Sequence, residues 1–142
     1  PKAIVVVPSQ ADFNFRGKRI ASLYSVHFRH LAEKLMEELP DTMLYVISPT
    51  RAPSFPDSWP DVDRANKELA TYAETHERIT FVDVTAEFLD ADGAPSAATF
   101  RGDGIFYSNW GYMRMSAAVL RHLEVDFPEY FQRAGLTTPP GV

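Results

Sequence analysis

Two kinds of apolar run alternate along this chain, and their alternation predicts the fold. Residues 3–7 (Ala-Ile-Val-Val-Val) form a short, unbroken, β-branched run, as a strand buried on both faces requires. Pro8 ends it, because it has no N–H to give to a ladder. Residues 8–18 are polar and irregular, placed where a strand's carboxyl end opens into a site loop. From 20 to 39 the period becomes helical. Ile20, Leu23, Tyr24, His27, Phe28, Leu31, Leu35 and Leu39 recur at three- and four-residue steps, with Glu33, Lys34, Glu37 and Glu38 off the stripe. On this pattern His27 is a packed residue, while His30, His76 and His122 face solvent. Pro40 stops the helix.

A second buried strand is predicted at 43–48 (Met-Leu-Tyr-Val-Ile-Ser), followed by a loop with prolines at 49, 53, 56 and 60. Phe55 and Trp59 give that loop something to bury, and loops of this length in compact domains are usually lids or binding loops. A second amphipathic helix follows at 61–76, with Val62, Ala65, Leu69, Tyr72 and Ala73 on one side. A third strand is predicted at 79–84, a helical turn at 85–89 and an Asp-Gly turn at 90–93. The last long helix spans 109–122, with Tyr112, Met115, Val119 and Leu123 as its stripe, and a short helical piece lies at 127–131. Buried strands alternating with amphipathic helices imply an α/β three-layer sandwich: a parallel sheet flanked by helices, with right-handed crossovers. No internal repeat or boundary interrupts it. Residues 1–135 read as one domain and 136–142 as a flexible Pro-rich tail.

Composition narrows the function classes. A chain of 142 residues is enough for one core, and 45% hydrophobic content is ordinary for a globular protein. The net charge is −5, and the longest basic cluster, Arg16-Gly-Lys18-Arg19, is too short for a nucleic-acid footprint. There is no cysteine, hence no disulfide, thiolate zinc site or cysteine nucleophile. No apolar run approaches the ~20 residues that span a bilayer, and no signal peptide is visible. A soluble protein is expected, with the cytoplasm slightly favoured. Pro1 suits either a processed product or a chain that has lost its initiator Met. Asp90 and Asp92 look like half a Ca²⁺ loop without a third ligand, so a plain turn is expected there. With no Gly-rich phosphate loop and no His-x-x-x-His, neither a cofactor nor a metal is called for.

Chemistry concentrates in residues 100–112, Phe-Arg-Gly-Asp-Gly-Ile-Phe-Tyr-Ser-Asn-Trp-Gly-Tyr. Asp103-Gly104 marks a tight turn, and Ser108 can cap the helix after it. A loop at a strand's carboxyl end is where open α/β sheets keep their sites. The stretch resembles the last conserved block of the SGNH (GDSL-type) hydrolases: Asp-Gly-(Leu/Ile)-His, a polar residue, then Gly-Tyr opening the final helix. Asp103, Gly104, Ile105, Ser108, Gly111 and Tyr112 fit in order, and Phe106 stands at the family's catalytic His. Phenylalanine has no nitrogen and cannot move a proton. The similarity covers roughly residues 28–123, through Pro40-Asp41, the helix containing Asn66, and Phe81-Val82-Asp83-Val84.

The resemblance also implies a front end: a Gly-Asp-Ser whose Ser is the nucleophile, and a Gly-x-Asn-Asp whose Asn helps hold the oxyanion. Counting back from Phe28, the second block falls on Ala11-Asp12-Phe13-Asn14, with Phe13 at the oxyanion Asn. Residues 3–7 are then the family's third strand and the nucleophile segment is missing. In a second register residues 3–7 are the first strand and Ser9 is the nucleophile. The first is preferred, because the continuous match downstream leaves no room for the missing elements.

A serine hydrolase needs a nucleophile, a base and donors for the oxyanion. Ser9 and Asp103 are the candidate catalytic residues if the chain is active, although a loop serine and a turn aspartate read more simply as local structure. Asp12 and Asn14 sit in the site loop and could meet a polar ligand. Phe13, Phe15, Phe106, Tyr107 and Trp110 fall in the two loops that would flank the cleft. Phe at polar catalytic positions dries a pocket, and aromatic rings suit contact with another protein, though they could equally plug a defunct cleft. The expectation is a domain that has lost catalysis and serves as a binding or scaffolding subunit, with a protein partner or oligomer through these loops. The alternative is a serine esterase or acylhydrolase acting on a small carbohydrate or lipid ester, through Ser9 or through a front end supplied by a second chain.

Overall fold

The computed structural model describes residues 1–10, 13 and 23–133. Three parallel strands, β1 (Ala3–Val6), β2 (Met43–Ile47) and β3 (Ile79–Val82), lie side by side in that order. Ala3 sits opposite Met43 and Val6 opposite Val46, while Leu44 pairs with Ile79 and Ile47 with Val82. The helices are α1 (Tyr24–Glu38), α2 (Trp59–Glu74), a short α3 (Thr85–Phe88), α4 (Asn109–Asp126) and α5 (Pro128–Arg133).

Side chains alternate across a strand, so this register sorts the apolar residues into two faces. Leu44, Val46 and Ile79, with Ile4 and Val6, meet Phe28 and Ala32 of α1 and Leu69 and Ala73 of α2. Tyr45, Ile47 and Val82 meet Met115, Ala118 and Val119 of α4, together with Val84, Phe88, Phe100 and Tyr107. The result is the expected three-layer α/β sandwich. Among the described residues no helix is long and apolar enough to cross a membrane.

Local chemistry fixes the element ends. Pro60 and Asp61 stand in the first turn of α2, where a missing N–H is harmless and a negative charge favourable. Arg78, just before β3, donates to the carbonyls of Met36 and Leu39 at 3.0 Å each and satisfies orphan acceptors at the end of α1. Tyr45 reaches from β2 to Asp126 at the end of α4, 2.5 Å away.

Two stripes lie differently from the periodic reading. In α1 the buried residues are Ser25, Phe28 and Ala32; Leu23 and Leu31 stay 46% and 45% exposed, and His27 faces solvent instead of packing. The inner face of α1 has a narrow seat over β1 and β2, so the flank holding positions 23, 27 and 31 points outward. In α4 the inward residues are Gly111, Met115, Ala118 and Val119, which leaves Tyr112 half exposed. The basic cluster at 16–19 and the tail at 136–142 lie outside the described residues.

Candidate functional site

The carboxyl ends of β1 and β2 open into segments 7–10 and 49–58, and with segment 100–107 from later in the chain these contribute to a cleft of about 370 Å³. Val7, Pro8, Ser9 and Gln10 form one wall and Ile105, Phe106 and Tyr107 another, with Phe55 and Tyr112 completing it. The lining is mainly apolar. Ser9 and the 105–107 segment thus share one cavity, although nearly a hundred residues separate them in sequence.

The 100–107 segment is a closed loop. Phe100 and Tyr107 bridge antiparallel at its base, and Arg101 N–H donates to the Phe106 carbonyl at 2.8 Å. Gly104 turns the tip at φ +65°, and a Cβ there would sit 2.6 Å from Ser54 Oγ. Ser54 donates its hydroxyl to the Asp103 carbonyl at 2.6 Å, which ties the tip to the long loop after β2. The Asp103 carboxylate folds back on its own turn, with Oδ1 accepting from Ile105 N–H at 2.8 Å and Phe106 N–H at 3.0 Å. Those two backbone donors hold its pKa below the usual carboxylate range. Ser108 closes the segment as N-cap of α4, accepting from Gly111 N–H at 3.1 Å and donating to the Ala98 carbonyl at 2.7 Å.

The floor of the cleft is a buried polar junction. Gln10 Nε2 donates toward the Tyr107 hydroxyl at 3.0 Å, Thr50 Oγ1 at 3.1 Å and the Thr50 carbonyl at 3.2 Å. Thr50 Oγ1 and the Tyr107 hydroxyl are 2.9 Å apart. Burial pushes the pKa of Tyr107 up, against the opposing pull of the bonds to Thr50 and Gln10. Phe88 and Phe100 pack against its ring at centroid distances of 5.5 and 5.4 Å. Neither Gln10 nor Thr50 stood out in the sequence. Each is an ordinary polar residue in the loop after a strand, and only the fold brings them together.

The remaining candidates separate. Phe106 projects from the rim at 61% exposure, and Trp110 is half exposed with the Arg114 guanidinium 4.6 Å over its ring. Phe13 is 1% exposed, packed on Tyr24 at 4.9 Å and beside Val62 and Ala65, so its ring offers a partner no surface. Asp12, Asn14 and Phe15 lie outside the described residues. Among the described residues no histidine lines the cleft. His27 and His30 are exposed on α1, and His76, past the far end of α2, leans on Tyr72 with its Nδ1 3.0 Å from the Tyr72 carbonyl. Arg51 braces the long loop, gripping Asp63 through two nitrogens at 3.0 and 2.6 Å and donating to the Gly93 carbonyl at 2.9 Å. Asp92 caps its own turn at Ala94 N–H. Among the described residues no three acids or histidines gather as metal ligands would.

Solved structures share this architecture. A provisionally assigned acylhydrolase from Bacteroides fragilis superposes with a TM-score of 0.72 at 19% identity, covering 89% of this chain and 62% of that one. A protein from Streptococcus pneumoniae, provisionally described as a platelet activating factor, gives 0.71 at 15% identity, covering 86% and 59%. The OSK domain of Drosophila Oskar gives 0.69 at 16% identity, covering 86% and 62%. No protein-family model matches the chain, and no curated protein sequence does. At these identities the likeness shows the fold alone: an α/β domain with an SGNH-like hydrolase fold. The chain spans about three-fifths of the length of the structures it matches.

Proposed function

We propose that this domain binds rather than hydrolyses, and that its cleft receives an apolar group from a protein partner. One observation carries the reading. The Asp103 carboxylate is turned onto the backbone N–H groups of Ile105 and Phe106, and the side chain three places on is a phenyl ring. A carboxylate orients a catalytic imidazole by accepting its N–H; Oδ1 of this one accepts from its own loop, and among the described residues no histidine lines the cleft that Ser9 borders. The mainly apolar lining and the exposed rings of Phe106 and Tyr112 favour a dry contact, in which aromatic anchors dominate.

The second reading is a reduced esterase built on Ser9. It is favoured by Ser9 lining the same cavity as the 105–107 segment. A fluorophosphonate probe with a small aryl ester separates the two. The binding reading expects no covalent adduct by intact mass and no ester turnover. Labelling that disappears in Ser9→Ala would overturn it in favour of the esterase.

A further inference from the structure

The polar junction under the cleft holds one hydrogen more than it has acceptors. Gln10 Nε2 carries two hydrogens. One belongs to the Thr50 carbonyl at 3.2 Å, which can only accept and so fixes which end of the amide is nitrogen. The other serves Thr50 Oγ1 at 3.1 Å and the Tyr107 hydroxyl at 3.0 Å. Those two oxygens lie 2.9 Å apart and share a bond in which one of them donates. The amide nitrogen accepts nothing, so the ring of three cannot close. Either Thr50 or Tyr107 keeps a hydroxyl hydrogen without an acceptor among the described residues. Gln10 and Tyr107 line the cleft and Thr50 does not, so an acceptor entering the cleft takes that hydrogen from Tyr107. A ligand that fills the cleft displaces solvent, and must supply the acceptor itself or leave a buried hydroxyl unmet.

We propose that Tyr107 is the specificity-determining donor of the cleft, and that the apolar group received there ends in a neutral carbonyl oxygen. The inference rests on the binding reading above and names the chemistry that reading leaves open. Val7, Pro8, Phe55, Phe106 and Tyr112 select an apolar stem. Among the described residues no charged side chain lines the cleft, so a carboxylate or an ammonium would be desolvated there without a counter-charge. A carbonyl oxygen carries no hydrogen and can only accept, which is what the surplus asks for. Binding then sets the junction in one direction. Gln10 N–H donates to Thr50 Oγ1, the Thr50 hydroxyl to Tyr107, and the Tyr107 hydroxyl to the ligand, a chain in which each bond polarises the next. In a protein partner such a carbonyl ends the side chains of Asn, Gln and an acylated lysine, and of these the acylated lysine alone sets it on a long apolar stem.

The probe is N-butylacetamide, the end of an acetylated lysine, titrated into isotope-labelled protein beside butylammonium and toluene. The amide should shift the Gln10 side-chain N–H resonances saturably, toluene should occupy the cleft with little effect on them, and butylammonium should not bind. Tyr107→Phe, which keeps the ring, should weaken the amide about three- to tenfold and leave toluene unchanged. Thr50→Val removes the other hydroxyl and should keep the amide affinity, because Gln10 still donates to Tyr107 and Tyr107 to the ligand. Amide affinity unchanged in Tyr107→Phe overturns the proposal, and so do equal losses in the two variants, which would make the junction merely structural. Where Tyr107→Phe does not fold, N-butylthioacetamide decides on the parent protein: its sulfur is the weaker acceptor, and binding as tight as the amide's overturns the proposal. Toluene bound with no response to the amide overturns this inference alone. Neither probe bound removes the binding reading with it. Labelling of Ser9 by the fluorophosphonate would remove that reading and leave the Tyr107 dependence to be decided by these titrations.

Discussion

Tyr107 carries a hydroxyl into the interior, where its partners come from two distant segments, at Gln10 and Thr50. A hydrogen bond between neutral groups contributes about 0.5–1.5 kcal/mol net. Tyr107→Phe takes one partner from each of Gln10 and Thr50, which keep each other, and retains the ring packing on Phe88 and Phe100. The variant should therefore lose about 0.5–1.5 kcal/mol in chemical denaturation, with an unchanged m-value. The pH dependence has a definite sign. The pKa of Tyr107 is raised in the folded state, chiefly by burial. Its contribution is thus complete below the ordinary tyrosine pKa of about 10 and is lost as pH rises through the folded value. Burial raises Tyr45 and Tyr72 as well, so ultraviolet titration should show several tyrosines ionising late, and Tyr107→Phe should reduce that late step by one tyrosine. Asp103 behaves oppositely. Its depressed pKa gives a contribution present above the ordinary carboxylate pKa of about 3.9 and lost as pH falls through the folded value. The amide shifts of Ile105 and Phe106 should follow its titration, with a midpoint below that of an unhindered aspartate. At this scale the Asp103-Gly104 turn and the Ser108 cap were legible in sequence, because each is closed by residues two or three places away. The Gln10–Thr50–Tyr107 junction was not, since nothing local distinguishes a glutamine 97 positions from its partner.

Among the elements, α4 shows how one small residue sets a close approach. Gly111 faces inward in the first turn of the helix. A Cβ there would collide with the Thr99 carbonyl and lie 3.3 Å from the Phe88 ring. Intrinsic propensity alone makes Ala better than Gly inside a helix by about 1 kcal/mol. The backbone contact reverses the sign. Carbonyl oxygens of a neighbouring turn cannot rotate away as a side chain can, and overpacking costs about 1–3 kcal/mol. Gly111→Ala should accordingly lower the denaturation midpoint, with the exchange of the Ser108 amide, bonded to the Thr99 carbonyl at 3.0 Å, speeding up first. A rise in stability would show that the helix has room to shift. The same helix marks the limit of periodicity as a guide. Spacing located α4 and α1 within a few residues, because a stripe is a property of sequence. It misassigned Tyr112 and His27, because the width of the seat belongs to the neighbouring layer. Of the strands, β2 stays buried whichever way its apolar run is turned, but β1, read from the same kind of run as buried on both faces, is an outer strand with Val5 and Val7 40% and 49% exposed, because composition does not say which strand ends up outermost.

For the molecule as a whole, the decisive matter is whether the proposed loss of catalysis rests on one residue or on several. Phe106→His distinguishes these. Position 106 lies at the rim, 61% exposed, so the new ring needs no cavity, and a surface substitution should change stability by no more than about 0.5 kcal/mol. An imidazole there would stand on the Asp103 turn with an ordinary pKa of about 6.5, able to act as a base near neutrality. Proton transfer alone is not acyl transfer. The reaction also needs a hydroxyl within reach and donors placed where the oxyanion forms. Asp103 Oδ1 already accepts two backbone N–H groups, which turn the carboxylate onto its own loop. On the binding reading Phe106→His folds as the parent does and turns over p-nitrophenyl acetate no faster than an equal concentration of free imidazole. Turnover well above that level, abolished by adding Ser9→Ala, would mean that Ser9 is a competent nucleophile and that a single phenyl ring had been keeping an otherwise intact hydrolase silent.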